Sequence, residues 1–310
     1  MSVRIDIHAD DFGESVHASR DILECLKDGK LNSISVLANM SCFEECVRLY
    51  REVQEEFPWQ PMISVHVNLM EGSCLADPKD LSDLVDEKGH FQISWERLFF
   101  VSYFPSGNKF KEQLKMEIEL QIRAVVEAFP EISMQSLRID SHQHTHMIPV
   151  VAKALFEVLD EQGWKAAYIR DAKEPFLVFL KKTSLYKTYR PVNFVKNILL
   201  NYCSALLQKR FRNAGMKPMY LWGLIMSGHM DEERIRQLLP DIEKKAEHNG
   251  RMLEILFHPG QVLREEISDE FSQEDAIAFH VSQDRSVEKQ AVYALDLAQK
   301  ARKGERGWIK

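Results

Sequence analysis

The chain has 310 residues, 45% of them hydrophobic, enough for a sizeable core in one large α/β domain or two smaller ones. A formal net charge of −7 and a pI near 5.9 exclude a global electrostatic pull toward nucleic acid. Five scattered cysteines without a CxxC pair argue against a disulfide framework. With Asp6 breaking any signal-peptide core and no apolar run of about 18 residues, the expectation is a cytoplasmic protein.

In chain order, VRIDIHA alternates apolar and polar residues and predicts a strand ending at Asp10-Asp11. Helical spacing follows over 14–28 (Val16, Ile22, Leu23, Leu26), closed by Gly29. NSISVLA is a second strand, 43–57 a second helix stopped by Pro58, and MISVHVNL a third strand with His66 near its end. The stretch 71–108, punctuated by Gly, Pro and Asp, reads as a long loop bearing short elements. A helix over about 109–128 precedes the strand SLRID. Pro149 stands where a helix would begin, and 150–162 has the right spacing. AAYIR is a further strand, ending at Arg170. A helix near 231–248, the strand MLEILF before His258, and a last helix near 287–302 complete the pattern.

Strands alternating with helices predict a mostly parallel sheet, open or closed into a barrel. Asp10, Asp11, His66, Asp140, His142, Arg170 and His258 all fall at or just past the C-terminal end of a predicted strand, where (β/α) barrels place their chemistry. Residues 173–217 stand apart. They hold ten Lys/Arg against one acid, Glu174, a local charge of +9, with helical apolar spacing at Val192, Val195, Leu199, Tyr202 and Leu206. They read as an inserted basic helical subregion of a single domain over 1–310.

The run RIDSHQHTHMIP, residues 138–149, places Asp140, His142, His144 and His146 on one parity. In an extended segment the four would share a face, with Leu137 and Ile139 on the other. Such a concentration of titratable groups points to a metal ion. Each other motif has an ordinary reading by itself: ADDFG an acidic helix-capping turn, His66 a hydrogen-bonded core histidine, FHPG a strand and a turn. Their joint placement at one end of the sheet is what singles them out. Imidazole and carboxylate suit a borderline divalent ion, and the remaining acids and histidines suit proton transfer. GxSxG, P-loop and GxGxxG motifs are missing, which disfavours serine-hydrolase, NTPase and Rossmann readings.

HADDFG, SVHVNL, IDSHQHTHMIP and FHPG, in this order and spacing, resemble the YdjC-like (ChbG-type) carbohydrate deacetylase family over most of the chain. The resemblance implies a distorted (β/α) barrel and metal-dependent removal of an N-acetyl group from an acetylated sugar, chitooligosaccharides being the best-known substrates. It implies Asp11, His66 and His142 as ligands of one divalent ion, Mg2+ or Zn2+, with Asp10 as general base and His258 as general acid. His144 and Arg170 are expected to touch the substrate. His8 stands where the family usually has Asn, and no role follows for His146 or His229. A metal-dependent phosphoesterase and an inactive sugar-binding protein are the competing readings.

The expected partner is an acetylated sugar, with no nucleic acid, and a homodimer stays open. The basic segment 173–217 reads as a cover over the barrel mouth with a solvated Lys/Arg face. Its alternative is a peripheral contact with an anionic membrane or a lipid-linked sugar.

Overall fold

The alternation seen in the sequence becomes a division between two faces of one curled sheet. The computed structural model describes residues 3–104 and 107–298. Its strands are β1 (Ile5–Phe12), β2 (Ser33–Val36), β3 (Met62–Val67), β4 (Leu137–Ser141), β5 (Ala166–Ile169), β6 (Met219–Trp222) and β7 (Met252–Phe257). All pair in parallel, in the order β5-β4-β3-β2-β1-β7-β6. The distorted barrel expected from the sequence is therefore present as a curled half-barrel. Its two edges approach each other: the Leu221 N–H donates to the Lys173 carbonyl at 2.9 Å, and the Tyr168 hydroxyl donates to Glu254.

On the outer face Ile7, Ala9, Ile34, Val36, Ile63, Val65, Leu137, Ile139, Leu253 and Ile255 belong to the main apolar core. They pack beneath the surrounding helices, as the connections of a parallel sheet require. The inner face is polar yet buried: Asp6, His8, Asp10, Ser33, Ser35, Ser64, His66, Asp140, Arg170 and Glu254. Burying such groups is costly unless they are paired. Here they are: His8 contacts Ser33 and Ser35 at 2.6 Å, Ser35 donates to Asp140 at 2.6 Å, and Arg138 donates to Asp6 at 3.0 Å.

The helices are α1 (Val16–Lys27), α2 (Phe43–Val53), α3 (Trp95–Val101), α4 (Gly107–Ala128), α5 (Pro149–Gln162), α6 (Phe176–Phe179), α7 (Pro191–Asn213), α8 (Glu232–His248), α9 (Glu274–His280) and α10 (Gln283–Leu295). Sequence signals account for several boundaries. Ser15 caps α1 through Ala18 N, Pro149 opens α5, and Gly163 closes it in the left-handed conformation. The expected last helix, 287–302, starts earlier at Gln283, and positions 299–302 lie outside the described residues. No described helix is long and apolar enough to cross a membrane.

Two differences from the sequence reading matter. β6 was not expected: Met219–Trp222 runs into GLIM as one apolar stretch, which periodicity cannot assign to strand or helix. Segment 173–217 connects the two edge strands, β5 and β6, and most of it is α7. The stripe Val192, Val195, Tyr202 and Leu206 points outward, with Leu199 partly buried, whereas Asn193, Asn197 and Ser204 point inward. Asn193 donates to the Ile225 carbonyl and Asn197 to Glu174.

Candidate active site

Consecutive residues of a regular strand face opposite ways, so Asp10 and Asp11 should diverge. The β1–β2 register shifts between Ala9 and Phe12, and Asp11 has φ 70°. Such a bulge re-aims side chains and is common beside active sites. Both carboxylates consequently approach the same ring: His66 Nε2 lies 3.9 Å from Asp10 Oδ2 and 3.4 Å from Asp11 Oδ1. Gly13, at φ 97°, completes the turn; a Cβ there would stand 2.6 Å from the Leu37 carbonyl oxygen.

The histidine run does not continue as a strand. β4 stops at Ser141, and His142–Met147 form a 3₁₀ turn containing Gln143 (φ 51°) and His144 (φ 58°). The expectation that Asp140, His142, His144 and His146 share one extended face is corrected accordingly. His142, the first residue of this turn, sets its Nδ1 3.0 Å from Asp11 Oδ1, and the two successive left-handed residues after it turn the chain out of the strand direction. Strained backbone of this kind persists where surrounding structure holds it, typically at functional sites.

Asp11, His66 and His142 offer three ligand atoms within 4.8 Å of one another, all on buried residues. Of the nitrogens turned away from this point, that of His66 is hydrogen-bonded and that of His142 only faces a carboxylate, with no hydrogen bond among the described residues. His66 Nδ1 lies 2.7 Å from Asp140 Oδ1, and His142 Nε2 lies 3.4 Å from Glu71 Oε2. Histidines that bind metals usually donate their second N–H to a carboxylate, which fixes tautomer and orientation. A carboxylate and two imidazoles so placed fit a divalent cation. Burial alone would lower the pKa of His66, but Asp10, Asp11 and Asp140 outweigh it and push it up to about 9. Burial would raise Asp11, yet Arg285 and His142 hold its carboxyl well below the usual range.

Asp10 is gripped by Arg170, whose two terminal nitrogens each lie 2.8 Å from one carboxylate oxygen. His8 Nε2 adds a contact at 3.1 Å. Against burial, Arg170 and His66 keep Asp10 strongly ionised. His258 follows β7, and since Ala9 pairs with Phe257, His258 and Asp10 are the next residues on neighbouring strands. Its backbone N–H donates to Glu288 at 2.6 Å, and its ring packs edge-on against Phe279.

The family model for YdjC-like proteins matches residues 4–303. The chain belongs to the YdjC-like family. A carbohydrate deacetylase of Danio rerio is 30% identical over 179 residues, 57% of this chain and 52% of the relative. One from Thermoanaerobacter pseudethanolicus is 30% identical over 154 residues, 49% of this chain and 55% of the relative. These two alignments span about half the length of the curated relatives. A carbohydrate deacetylase of Xenopus laevis is 25% identical over 279 residues, covering 83% of this chain and 81% of its own. A crystal structure from Enterococcus faecalis V583 shares the fold, with TM-score 0.60 and 19% identity over 96% of both chains.

Within this YdjC-like chain, the structure brings Asp10, Asp11, His66 and His142 together. Arg170, expected to touch substrate, is completely buried; its guanidinium binds Asp10, Asp140 and Glu254 from inside the barrel. Its burial and its three carboxylate partners make it a counter-ion. His144 is partly buried, and its Nδ1 has no hydrogen-bond partner among the described residues. Burial, reinforced by the charge of Arg170, holds its pKa well below the ordinary value. His146 is structural: its ring nitrogens contact Ser141 Oγ at 2.5 Å and the Arg170 carbonyl at 2.8 Å. His8 sits inside the barrel beneath Asp10, and His229 lies partly buried beyond β6, near Arg190 and Asp284.

Five further residues escaped the sequence reading. His280 lies 2.8 Å from Glu14 and 3.0 Å from Glu71, and Arg285 lies 3.0 Å from the second Asp11 oxygen. Glu288 braces both His258 and the Gly228 N–H. Although burial opposes it, Glu14 and Glu71 push the His280 pKa up to about 9. The available signal was Arg285 and Glu288 three apart near the start of a helix, but ordinary surface helices carry the same pattern.

Proposed function

We propose that this YdjC-like protein is a metal-dependent hydrolase that removes the N-acetyl group from an acetylated sugar, chitooligosaccharide-like or lipid-linked. The observation carrying this reading is the Asp11–His66–His142 cluster, with His66 hydrogen-bonded to Asp140, His142 facing Glu71, and an ionised Asp10 alongside. A divalent ion, Mg2+ or Zn2+, held by those three residues would polarise the acetyl carbonyl and favour deprotonation of a nearby water.

Asp10, fixed and kept anionic by Arg170, accepts the proton of the attacking water. His258, partly exposed and braced by Glu288, gives a proton to the departing sugar amine. His144, whose buried Nδ1 has no hydrogen-bond partner among the described residues, is the side chain assigned to a sugar hydroxyl. Arg170 contributes by orienting Asp10.

A two-metal phosphoesterase needs a second ligand set, and besides Asp6–His8–Glu254 and His8–Asp10–Asp140 the described residues offer a larger group, Glu14, Glu71, His142 and His280. That group already contains a counter-charge: Arg285 lies 3.2 Å from Glu14, and His280 lies between the two glutamates. It therefore reads as a buried ion network steadying His142. Amine release from a panel of N-acetylated sugars, measured beside phosphate release from phosphate esters and metal content per chain, tests the proposal. Amine release with one ion per chain supports it; phosphate release with two ions overturns it.

A further inference from the structure

The outward face of α7 has the composition of an interior. Val192, Val195, Ile198, Tyr202 and Leu206 are each between 47% and 57% exposed. At 1.5 Å per residue, the stripe from Val192 to Leu206 is about 21 Å long. Exposed Leu177, Leu180 and Tyr186 come from the segment leading into α7. Tyr103, just beyond α3, lies against Tyr202 and brings the exposed Phe100 and Phe104 to the same surface. Single exposed apolar residues are ordinary, but a contiguous patch marks a binding surface.

The charge around the stripe selects its occupant. Residues 175–217 contain no Asp or Glu. Lys182 and Arg190 are paired with Asp241 and Asp284, while Lys181, Lys187, Lys196, Lys209 and Arg212 are exposed. A two-fold pairing of this face with itself would bring two +9 segments together, and like charges oppose that. An anionic bilayer satisfies both features: aliphatic side chains enter the acyl boundary, tyrosines sit at the headgroups, and lysine stems extend back to the phosphates. We propose that α7, with the end of α3, docks this protein peripherally on an anionic lipid surface. The turn His142–Met147 packs against α7, so docking holds the candidate site next to that surface.

The test is cosedimentation of the full-length protein with phosphatidylcholine vesicles, with and without phosphatidylserine, at low and high salt. Binding is expected only to the phosphatidylserine vesicles and should weaken with salt. Lys196→Ala with Lys209→Ala should lower partitioning by about 30-fold, at roughly 1 kcal/mol per basic residue. Val195→Ser with Ile198→Ser, both exposed and unlinked to the candidate site, should reduce binding while leaving turnover of a soluble acetylated sugar unchanged. Absence of vesicle binding, or binding that neither variant alters, overturns the proposal. A dimer in sedimentation velocity that Val195→Ser with Ile198→Ser disperses would assign the face to a second copy and overturn it equally.

Discussion

His66 Nδ1 and Asp140 Oδ1 lie 2.7 Å apart on adjacent strands whose register pairs these two residues. The contact turns the other ring nitrogen, Nε2, toward Asp11. Asp140→Asn should keep the fold but weaken divalent-metal affinity by about 10- to 100-fold, because the amide is a poorer acceptor for the imidazole N–H. Competition titration with a chromogenic chelator measures this, and an unchanged affinity would remove Asp140 from the site.

Direct removal of a ligand should act more strongly. His66→Ala and His142→Ala are each expected to lose bound metal and activity while retaining the circular dichroism spectrum of the parent. Elemental analysis after dialysis decides the matter. Parental metal content in both variants would refute the ligand assignment.

Asp10→Asn should separate metal binding from turnover. An amide cannot take the proton from water, so kcat should fall about 10²- to 10⁴-fold while metal content stays near the parent's. His258→Ala should behave alike, with a smaller loss for substrates carrying better leaving groups. Near-normal turnover by Asp10→Asn at neutral pH would exclude Asp10 as the base.

Arg170 offers a stability test. Arg170→Met leaves Asp10, Asp140 and Glu254 buried without their shared cation. Removing one partner of such a network costs about 3–5 kcal/mol, measurable as a lower urea midpoint. A variant as stable as the parent that only loses substrate affinity would restore Arg170 to a substrate-binding role.

Glu174 gives the chain a pH-dependent term. Its carboxylate accepts from the backbone N–H groups of Gly223, Leu224 and Ile225, yet burial outweighs these donors and pushes its pKa up to about 7 from an ordinary 4.5. A folded-state pKa above the unfolded value favours folding below pH 4.5 and loses that contribution as pH rises through 7. Relative to Glu174→Gln, the parent should therefore lose stability between these limits. Urea denaturation of both at pH 5 and pH 8 checks it; parallel behaviour would contradict the assignment.

What the sequence determined by itself was whatever depends on local period. Strand side chains alternate, so Ile7 and Ala9 against Asp6, His8 and Asp10 already separated an apolar outer face from a polar inner one. The placement of Asp11, His66, Asp140 and His258 at strand ends was legible for the same reason, and the family motifs they form were legible as a resemblance. Only the tertiary structure decided the rest. The bulge that aims Asp10 and Asp11 at one ring, and the left-handed pair that ends the histidine run, depend on neighbouring strands and loops. Glu71, His280 and Arg285 meet from parts of the chain some 200 residues apart, and no local pattern encodes a distance in space. Helical periodicity likewise exposed a stripe on α7 but could not orient it. The choice fell to Asn197, whose side chain reaches inward to the buried Glu174, leaving Val195 and Ile198 to face outward.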